Sequence, residues 1–155
     1  MSQTELWKSD ANHEDIAAHF FDADQDNDLD LYVSCGGNEY KEGMDKLQDK
    51  LYLNDGSGQF SRAKDILPIM TGSGSRVKAG DYDNDGDLDL FVGGRLVPQL
   101  YPTPAKSYIL KNEMKETGKL SFTDVTADIA PDLMEAGLVT AVSYTHLTLP
   151  TICSV

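Results

Sequence analysis

The sequence lacks several features that mark common classes of protein. Its 155 residues include only two cysteines, Cys35 and Cys153, which are too few for a disulfide framework. It has no run of about 18 apolar residues, so it contains no membrane span. The N-terminal residues do not form a basic segment followed by an apolar run, so no signal peptide is visible. Composition therefore leaves the cellular compartment open.

Positive charge is also scarce. The chain has 13 Lys and Arg residues against 26 Asp and Glu residues, and its formal net charge is −13. No basic run or basic helix face occurs. Proteins that bind nucleic acids contact phosphates through clusters of Lys and Arg. We therefore expect no nucleic-acid partner.

The acidic residues that are present are concentrated in two short segments, and in each segment every second residue is an aspartate. The ten aspartates are Asp22, Asp24, Asp26, Asp28, Asp30, Asp81, Asp83, Asp85, Asp87 and Asp89. Most of the net charge of the chain therefore belongs to these two segments, which we call loop 1 (residues 22–30) and loop 2 (residues 81–89).

The two loops belong to an internal repeat with an offset of 59 residues. Residues 21–33 match residues 80–92, and farther along residues 51–54 and 60 match residues 108–112 and 122. Each copy predicts four short strands: 16–21, 29–33, 51–53 and 59–62 in the first, and 76–80, 88–92, 107–110 and 120–125 in the second. Residues 54–58 predict a hairpin turn, and residues 41–50 a short helix or a loop. Four strands per repeat are typical of a propeller blade. The predicted fold is all-β, a partial β-propeller of about two four-stranded blades.

The spacing of the aspartates predicts a calcium site in each loop. Alternate residues of a tight loop can turn their carboxylates towards one centre, and calcium prefers 6–8 oxygen ligands. In loop 2 we expect side-chain ligands from Asp81, Asp83, Asp85 and Asp89, and the backbone carbonyl of Asp87. In loop 1 the equivalent side-chain ligands are Asp22, Asp24, Asp26 and Asp30, and the equivalent backbone carbonyl is that of Asp28. Gly86 suits the sharp turn of loop 2. Asn27 takes that position in loop 1, so we expect loop 1 to be somewhat less favourable.

Three other interpretations of the loops are weaker. Solvated acidic turns are common, but five alternating carboxylates repel one another without a counter-ion, and here they recur at one repeat spacing. Magnesium prefers few protein ligands and keeps its waters. An EF-hand needs a bidentate acid at position 12 and a following helix. Position 12 is Val33 in one copy and Val92 in the other, and both flanks are strand-like.

The motif of residues 81–92, Asp-x-Asp-x-Asp-Gly-Asp-Leu-Asp-Leu-Phe-Val, resembles the FG-GAP/VCBS repeats of integrin-α-like β-propellers. The resemblance implies structural calcium, about one ion per repeat, in the loop between the first two strands of a blade. It covers roughly residues 6–140, and Asn27 departs from the motif. Residues 91–95, 101–104 and 122–126 are similar to a subgroup that often carries an ASPIC/UnbV region and is similar to the cartilage acidic protein of animals.

The resemblance also suggests how the chain is divided. We expect residues 1–12 to end a preceding blade, residues 13–70 and 71–130 to form two repeats, and residues 131–141 to begin a third. Residues 142–155 look like a translated sequencing adapter, which would make Cys153 an artefact. These expectations describe a propeller fragment truncated at both ends, and Met1 need not be the true start.

The function expected from this sequence is that of a non-catalytic, extracellular or cell-surface scaffold that binds calcium and recognises a protein or glycan. The alternative is a fragment of a propeller enzyme, a hydrolase or lyase, with its active site in missing blades. No nucleophile–base pair is evident outside the acidic loops. His13 and His19 are interpreted as ordinary surface or core residues, and Cys35 as a buried, inert thiol.

Overall fold

Eight strands and a few short helices make up the described part of the fold. The structure, a computed structural model, describes residues 3–41, 45–70, 72–100, 102–140 and 142. The predicted adapter segment, apart from Val142, lies outside the described residues, as do Met1 and Tyr101. The strands are β1 (Glu14–Phe21), β2 (Asp30–Gly36), β3 (Lys50–Asn54), β4 (Phe60–Ala63), β5 (Ser73–Gly80), β6 (Asp89–Leu96), β7 (Tyr108–Asn112) and β8 (Phe122–Asp124).

The helices are short. They are α1 (Gln3–Asp10), α2 (Met114–Thr117) and α3 (Thr126–Ile129), with 3₁₀ turns at Asp45–Leu47 and Pro131–Met134. The first 3₁₀ turn lies within residues 41–50, for which the sequence predicted either a short helix or a loop. No helix of the described residues is long and apolar enough to cross a membrane.

The strands form two four-stranded antiparallel sheets, in the orders β1-β2-β3-β4 and β5-β6-β7-β8. Each sheet is a meander in which consecutive strands pair, and each corresponds to one copy of the repeat. Equivalent strands meet in equivalent register, with Phe21 opposite Asp30 in the first sheet and Gly80 opposite Asp89 in the second. The prediction of an all-β chain with two four-stranded blades is confirmed.

The hairpin between β3 and β4 follows from its turn residues. Gly56 and Gly58 have φ angles of 76° and 83°, a region that glycine enters without steric cost. The side-chain oxygen of Asn54 accepts hydrogen bonds from the N–H groups of Asp55 and Gly58. The turn is therefore closed by its own side chains, and it fixes the register of the two strands.

The main hydrophobic core lies between the two sheets. Both sheets contribute fully buried side chains to it, among them Phe21 and Leu51 from the first and Leu90 and Leu110 from the second. Strand β1 packs beside β5. There the ring Nε2 of His19 accepts a hydrogen bond of 3.2 Å from the N–H of Ala79. Burial, with Lys78 nearby, lowers the pKa of His19, which favours the neutral ring that can accept this bond.

Helix α1 packs on the first sheet, around a smaller apolar cluster of Leu6, Val33, Cys35 and Tyr52. The Trp7 ring lies 5.1 Å from that of Tyr52. Asp10, at the end of the helix, accepts hydrogen bonds from the Tyr52 hydroxyl (2.6 Å) and from Arg62 (2.7 Å). The assignment of residues 1–12 to a preceding blade stays a prediction. In the structure, residues 3–10 are helical and cover part of this sheet.

Candidate metal centre

Each acidic loop connects the first two strands of its sheet, and the two loops follow the same backbone path. We number the first aspartate of each loop as position 1, so that the aspartates occupy positions 1, 3, 5, 7 and 9. Positions 4 and 6 have positive φ in both loops: 64° at Gln25 and 70° at Asn27, then 60° at Asn84 and 97° at Gly86. These left-handed residues let the chain turn sharply at equivalent positions of the two loops.

Hydrogen bonds within the two loops also correspond. The position 1 carboxylate accepts a hydrogen bond from the backbone N–H of position 6. Its length is 3.2 Å in loop 1 (Asp22 and Asn27) and 3.1 Å in loop 2 (Asp81 and Gly86). In each loop, the position 5 carboxylate accepts from the N–H of position 7 over 3.0 Å. The two repeats therefore build one loop structure twice, although their sequences differ at positions 2, 4 and 6.

The position 9 carboxylates, Asp30 and Asp89, are buried and braced on both oxygens. Asp30 accepts from the N–H groups of Ala23 and Asn54, each over 2.9 Å. Asp89 accepts in the same way from Tyr82 (3.1 Å) and Asn112 (2.8 Å). Burial raises the pKa of Asp30 to about 6 and that of Asp89 to about 7. These residues tie each loop to the third strand of its sheet, a role that the sequence analysis did not assign to them.

Loop 1 brings three carboxylates to one point. Asp22, Asp24 and Asp30 have carboxylate oxygens within 4.8 Å of one another, so the group could hold a metal ion. The Oδ1 atoms of Asp22, Asp24 and Asp28 are buried and have no hydrogen-bond partner in the described part of the chain. Among the described residues, no ion pair involves a carboxylate of this loop. A buried, partnerless carboxylate oxygen is costly unless a cation or donor meets it.

Loop 2 forms two such groups that share Asp85. One consists of Asp81, Asp83 and Asp85, and the other of Asp85, Asp87 and Glu116. Asp85 Oδ2 and Asp87 Oδ1 are buried, and no described residue forms a hydrogen bond with either atom. The Asp87 side chain is 1% exposed, and burial raises its pKa to about 6. We call the carboxylate group of loop 1 the first acidic centre and the two joined groups of loop 2 the second. The second centre therefore contains more carboxylates than the first.

A lysine also reaches this second centre. The Lys111 Nζ atom lies 2.6 Å from Asp83 Oδ2, 2.5 Å from Glu116 Oε1 and 3.7 Å from Asp85 Oδ2. Its hydrogen bonds to Asp83 and Glu116 raise the pKa of Lys111 and keep the amine protonated. The sequence analysis identified neither Lys111 nor Glu116. Their only sequence signal is the longer hairpin between the third and fourth strands of the second repeat.

The ten predicted aspartates thus fall into different settings, although their role as ligands stays a prediction. Asp26 is exposed, and it accepts the N–H of Asp28. At position 7 we expected a backbone carbonyl ligand. That role stays a prediction, and the structure shows in addition that the Asp87 carboxylate lies inside an acidic group, where its Oδ2 accepts a hydrogen bond of 3.1 Å from the N–H of Lys115. The atoms available as metal ligands are all oxygens, which suits a hard cation such as calcium.

The two loops touch each other. The Gln25 amide donates a hydrogen bond of 2.7 Å to the carbonyl of Gly86, and the Asn112 amide donates one of 2.9 Å to the carbonyl of Ala23. Gln25 lies in loop 1 and Gly86 in loop 2, so these bonds join the acidic loops at one end of the sheets.

Comparison with known protein families gives a match that includes both acidic loops. Residues 22–92 match the model of a family described as FG-GAP-like repeat. The match begins at the first aspartate of loop 1 and ends three residues after the last aspartate of loop 2, so both loops lie within it. Searches of curated proteins and of solved structures gave no significant match.

Proposed function

Because residues 22–92 of this chain match the FG-GAP-like repeat family, we propose that it is part of a calcium-binding β-propeller that acts as a scaffold and not as an enzyme. The observation that carries this proposal is the repeated loop. Two loops that share two backbone-to-carboxylate hydrogen bonds each contain buried carboxylate oxygens that have no hydrogen-bond partner among the described residues. In each loop, carboxylates come together in groups whose oxygens lie within 4.8 Å of one another.

Calcium accounts for the donor set better than other ions do. It accepts many oxygen ligands in flexible geometry, whereas magnesium demands a near-ideal octahedron and keeps several waters. The ion would hold the loop that joins the first two strands of each sheet and would cancel the repulsion among its carboxylates. We propose one structural ion per repeat, with a dissociation constant of about 10⁻⁴–10⁻³ M, the range of extracellular modules.

An affinity of this size favours an extracellular or cell-surface location, where calcium is abundant enough to fill such sites. We propose that the partner is a protein or a glycan bound at a face of the propeller. The acidic surface disfavours nucleic acid. If the whole protein were instead a hydrolase or lyase, a buried cluster of acids, histidines or arginines would converge from several blades.

The test of calcium binding is a calorimetric titration of the full chain with calcium chloride. We expect saturation near two ions per chain. In a chain carrying both Asp24→Ala and Asp85→Ala, we expect the heat to disappear, because each change removes a carboxylate from one acidic centre. The control carries Asp128→Ala and Asp132→Ala, which remove two exposed acids outside the loops and should leave the titration unchanged.

Circular dichroism of each chain shows whether the fold is present during the titration. A folded parent chain that releases no heat would contradict the proposal and leave both loops as acidic turns. A titration that survives the double loop substitution would also contradict it, because calcium would then be bound elsewhere.

A further inference from the structure

The two acidic centres differ in one residue that comes from the third strand of each sheet. Asn54 and Asn112 are equivalent, because each donates its backbone N–H to the position 9 aspartate of its own loop. The residues just before them are therefore equivalent as well. These are Leu53 in the first repeat and Lys111 in the second. The first centre has an apolar residue at the position where the second has an ammonium group.

Lys111 lies where the two carboxylate groups of the second centre meet. Its Nζ contacts Asp83 from one group and Glu116 from the other, over 2.6 Å and 2.5 Å, and it lies 3.7 Å from the Asp85 oxygen that both groups share. The Lys111 side chain is 21% exposed, so the amine is held within the cluster with limited access to solvent. It neutralises part of the charge that would otherwise attract a metal ion.

The lysine does not satisfy the whole centre. Asp87 is 1% exposed and forms one carboxylate group with Asp85 and Glu116. Its Oδ1 atom has no hydrogen-bond partner among the residues that the structure describes. Oxygen ligands for a cation therefore remain. A calcium ion that enters must displace the ammonium group from Asp83 or bind beside it. Displacement breaks charge-assisted hydrogen bonds, and binding beside it brings like charges together.

We propose that Lys111 is a built-in competing cation that lowers the calcium affinity of the second centre, so that the first centre fills at lower calcium. This inference rests on the proposed calcium-binding function. It reverses the order expected from the sequence, where Asn27 made loop 1 the less favourable site. Asn27 adopts the required left-handed conformation, with φ of 70°. The Lys111 ammonium group, which reaches loop 2 from β7, outweighs the advantage of Gly86.

The experiment isolates each centre in the full chain. Asp24→Ala leaves only the second centre, and Asp85→Ala leaves only the first. In the Asp24→Ala chain, calorimetry with calcium chloride compares Lys111 with Lys111→Gln, Lys111→Met and Lys111→Arg. Gln and Met remove the charge at similar length, and Arg keeps it. We expect both neutral variants to lower the dissociation constant about tenfold or more, and Arg to leave it near the parent value.

The reciprocal variant tests the same idea in the first repeat. In the Asp85→Ala chain, Leu53→Lys should raise the dissociation constant of the first centre, whereas Lys111→Gln should not change it. Leu53 is partly buried, so circular dichroism must show that the chain with the Leu53→Lys substitution is folded. If it is not, the comparison among the Lys111 variants decides.

The outcomes separate this inference from the proposed function. If the Asp24→Ala chain binds calcium equally well with Lys, Gln and Met at position 111, the inference fails and calcium binding stands. If neither isolated centre nor the parent chain releases heat while folded, both fail. Tighter binding with Gln and Met but not with Arg supports the inference.

Discussion

Asp49 shows what the fold does to a single carboxylate outside the acidic loops. It is 5% exposed and is held on both oxygens. The Tyr32 hydroxyl donates to Oδ2 over 2.6 Å, and the N–H of Cys35 donates to Oδ1 over 2.7 Å. Burial nevertheless raises the pKa of Asp49 to about 7. Two hydrogen bonds do not fully replace the water that the charged form has lost.

The raised pKa predicts that Asp49 makes stability fall as pH increases. Its ordinary pKa is 3.8, so between that value and about 7 the folded state binds the proton more tightly than the unfolded chain does. The stabilisation is fully present below the ordinary value and is lost as pH rises through about 7. Urea unfolding at pH 5 and pH 8 in the presence of a chelator should show it. We expect the parent to lose more free energy of unfolding than Asp49→Asn, by an amount on the order of a few kcal/mol.

The quantity to compare is the change in the free energy of unfolding with pH, because Asn at position 49 also changes the absolute stability through its own hydrogen bonds. Asp128→Asn removes an exposed acid and should keep the parent slope. Equal slopes in the parent and in Asp49→Asn would show that Asp49 does not titrate in this range.

Residue by residue, the sequence predicted the acidic centres better than their surroundings. Alternating aspartates were visible because the loop pattern is local and occurs twice. Lys111 and Glu116 were not, since they reach loop 2 only through the pairing of β6 with β7 and the path of the second hairpin. The brace at Asp30 was also hidden, because one of its partners, Asn54, lies on another strand.

At the scale of elements, helix α1 is the part that the sequence did not reveal. The strands followed from short runs of β-forming residues between turn signals, and the repeat supplied each pattern twice. The helix has only eight residues. An isolated helix of this length is marginal in water, so its stability must come from packing. Tyr52 and Arg62, which hold Asp10, belong to strands more than 40 residues away.

We predict that Asp10→Asn loosens α1 from the first sheet. The substitution removes the charge that Arg62 and Tyr52 contact inside a nearly buried site. Hydrogen bonds to charged groups contribute about 1.5–3 kcal/mol each, so we expect a loss of about 2 kcal/mol in the free energy of unfolding. Trp7 packs on Tyr52 and Phe60, and its fluorescence should shift to longer wavelength as its exposure increases.

Lys8→Gln is the matched control on the same helix, because Lys8 is exposed. It should change neither the stability nor the fluorescence. An Asp10→Asn chain that unfolds with the parent free energy would mean that α1 is held by its apolar contacts alone.

At the scale of the whole molecule, the shared core makes the two sheets one folding unit. The core cluster takes Phe21 and Leu51 from one sheet and Leu90 and Leu110 from the other, so neither sheet keeps its buried face when the other unfolds. The sequence predicted two blades, but it did not show how they contact each other. His19 was interpreted as an ordinary residue, and its bond to Ala79 between the sheets depends on a contact 60 residues away.

We therefore predict that Leu90→Ala in the second sheet destabilises the first sheet equally. Leu90 is 1% exposed, and removing such a side chain typically costs about 2–5 kcal/mol. The chain has a single tryptophan, Trp7, which packs on the first sheet and reports its unfolding. Denaturation followed by Trp7 fluorescence and by circular dichroism should give one coincident transition, shifted to lower denaturant.

The comparison that checks this prediction is Leu100→Ala, which truncates a leucine that is 55% exposed and should leave the transition in place. A fluorescence transition that stays at the parent midpoint while the circular dichroism signal splits in two would show that the sheets unfold independently.

The contact between loops 1 and 2 also determines how charge is distributed over the molecule. The bonds from Gln25 to Gly86 and from Asn112 to Ala23 place all ten aspartates at one end of the sheets. Most of the net charge of −13 is therefore concentrated at that end. Near an anionic surface in low calcium, repulsion would turn this end away from the surface. Two bound calcium ions would cancel part of that charge and weaken the repulsion.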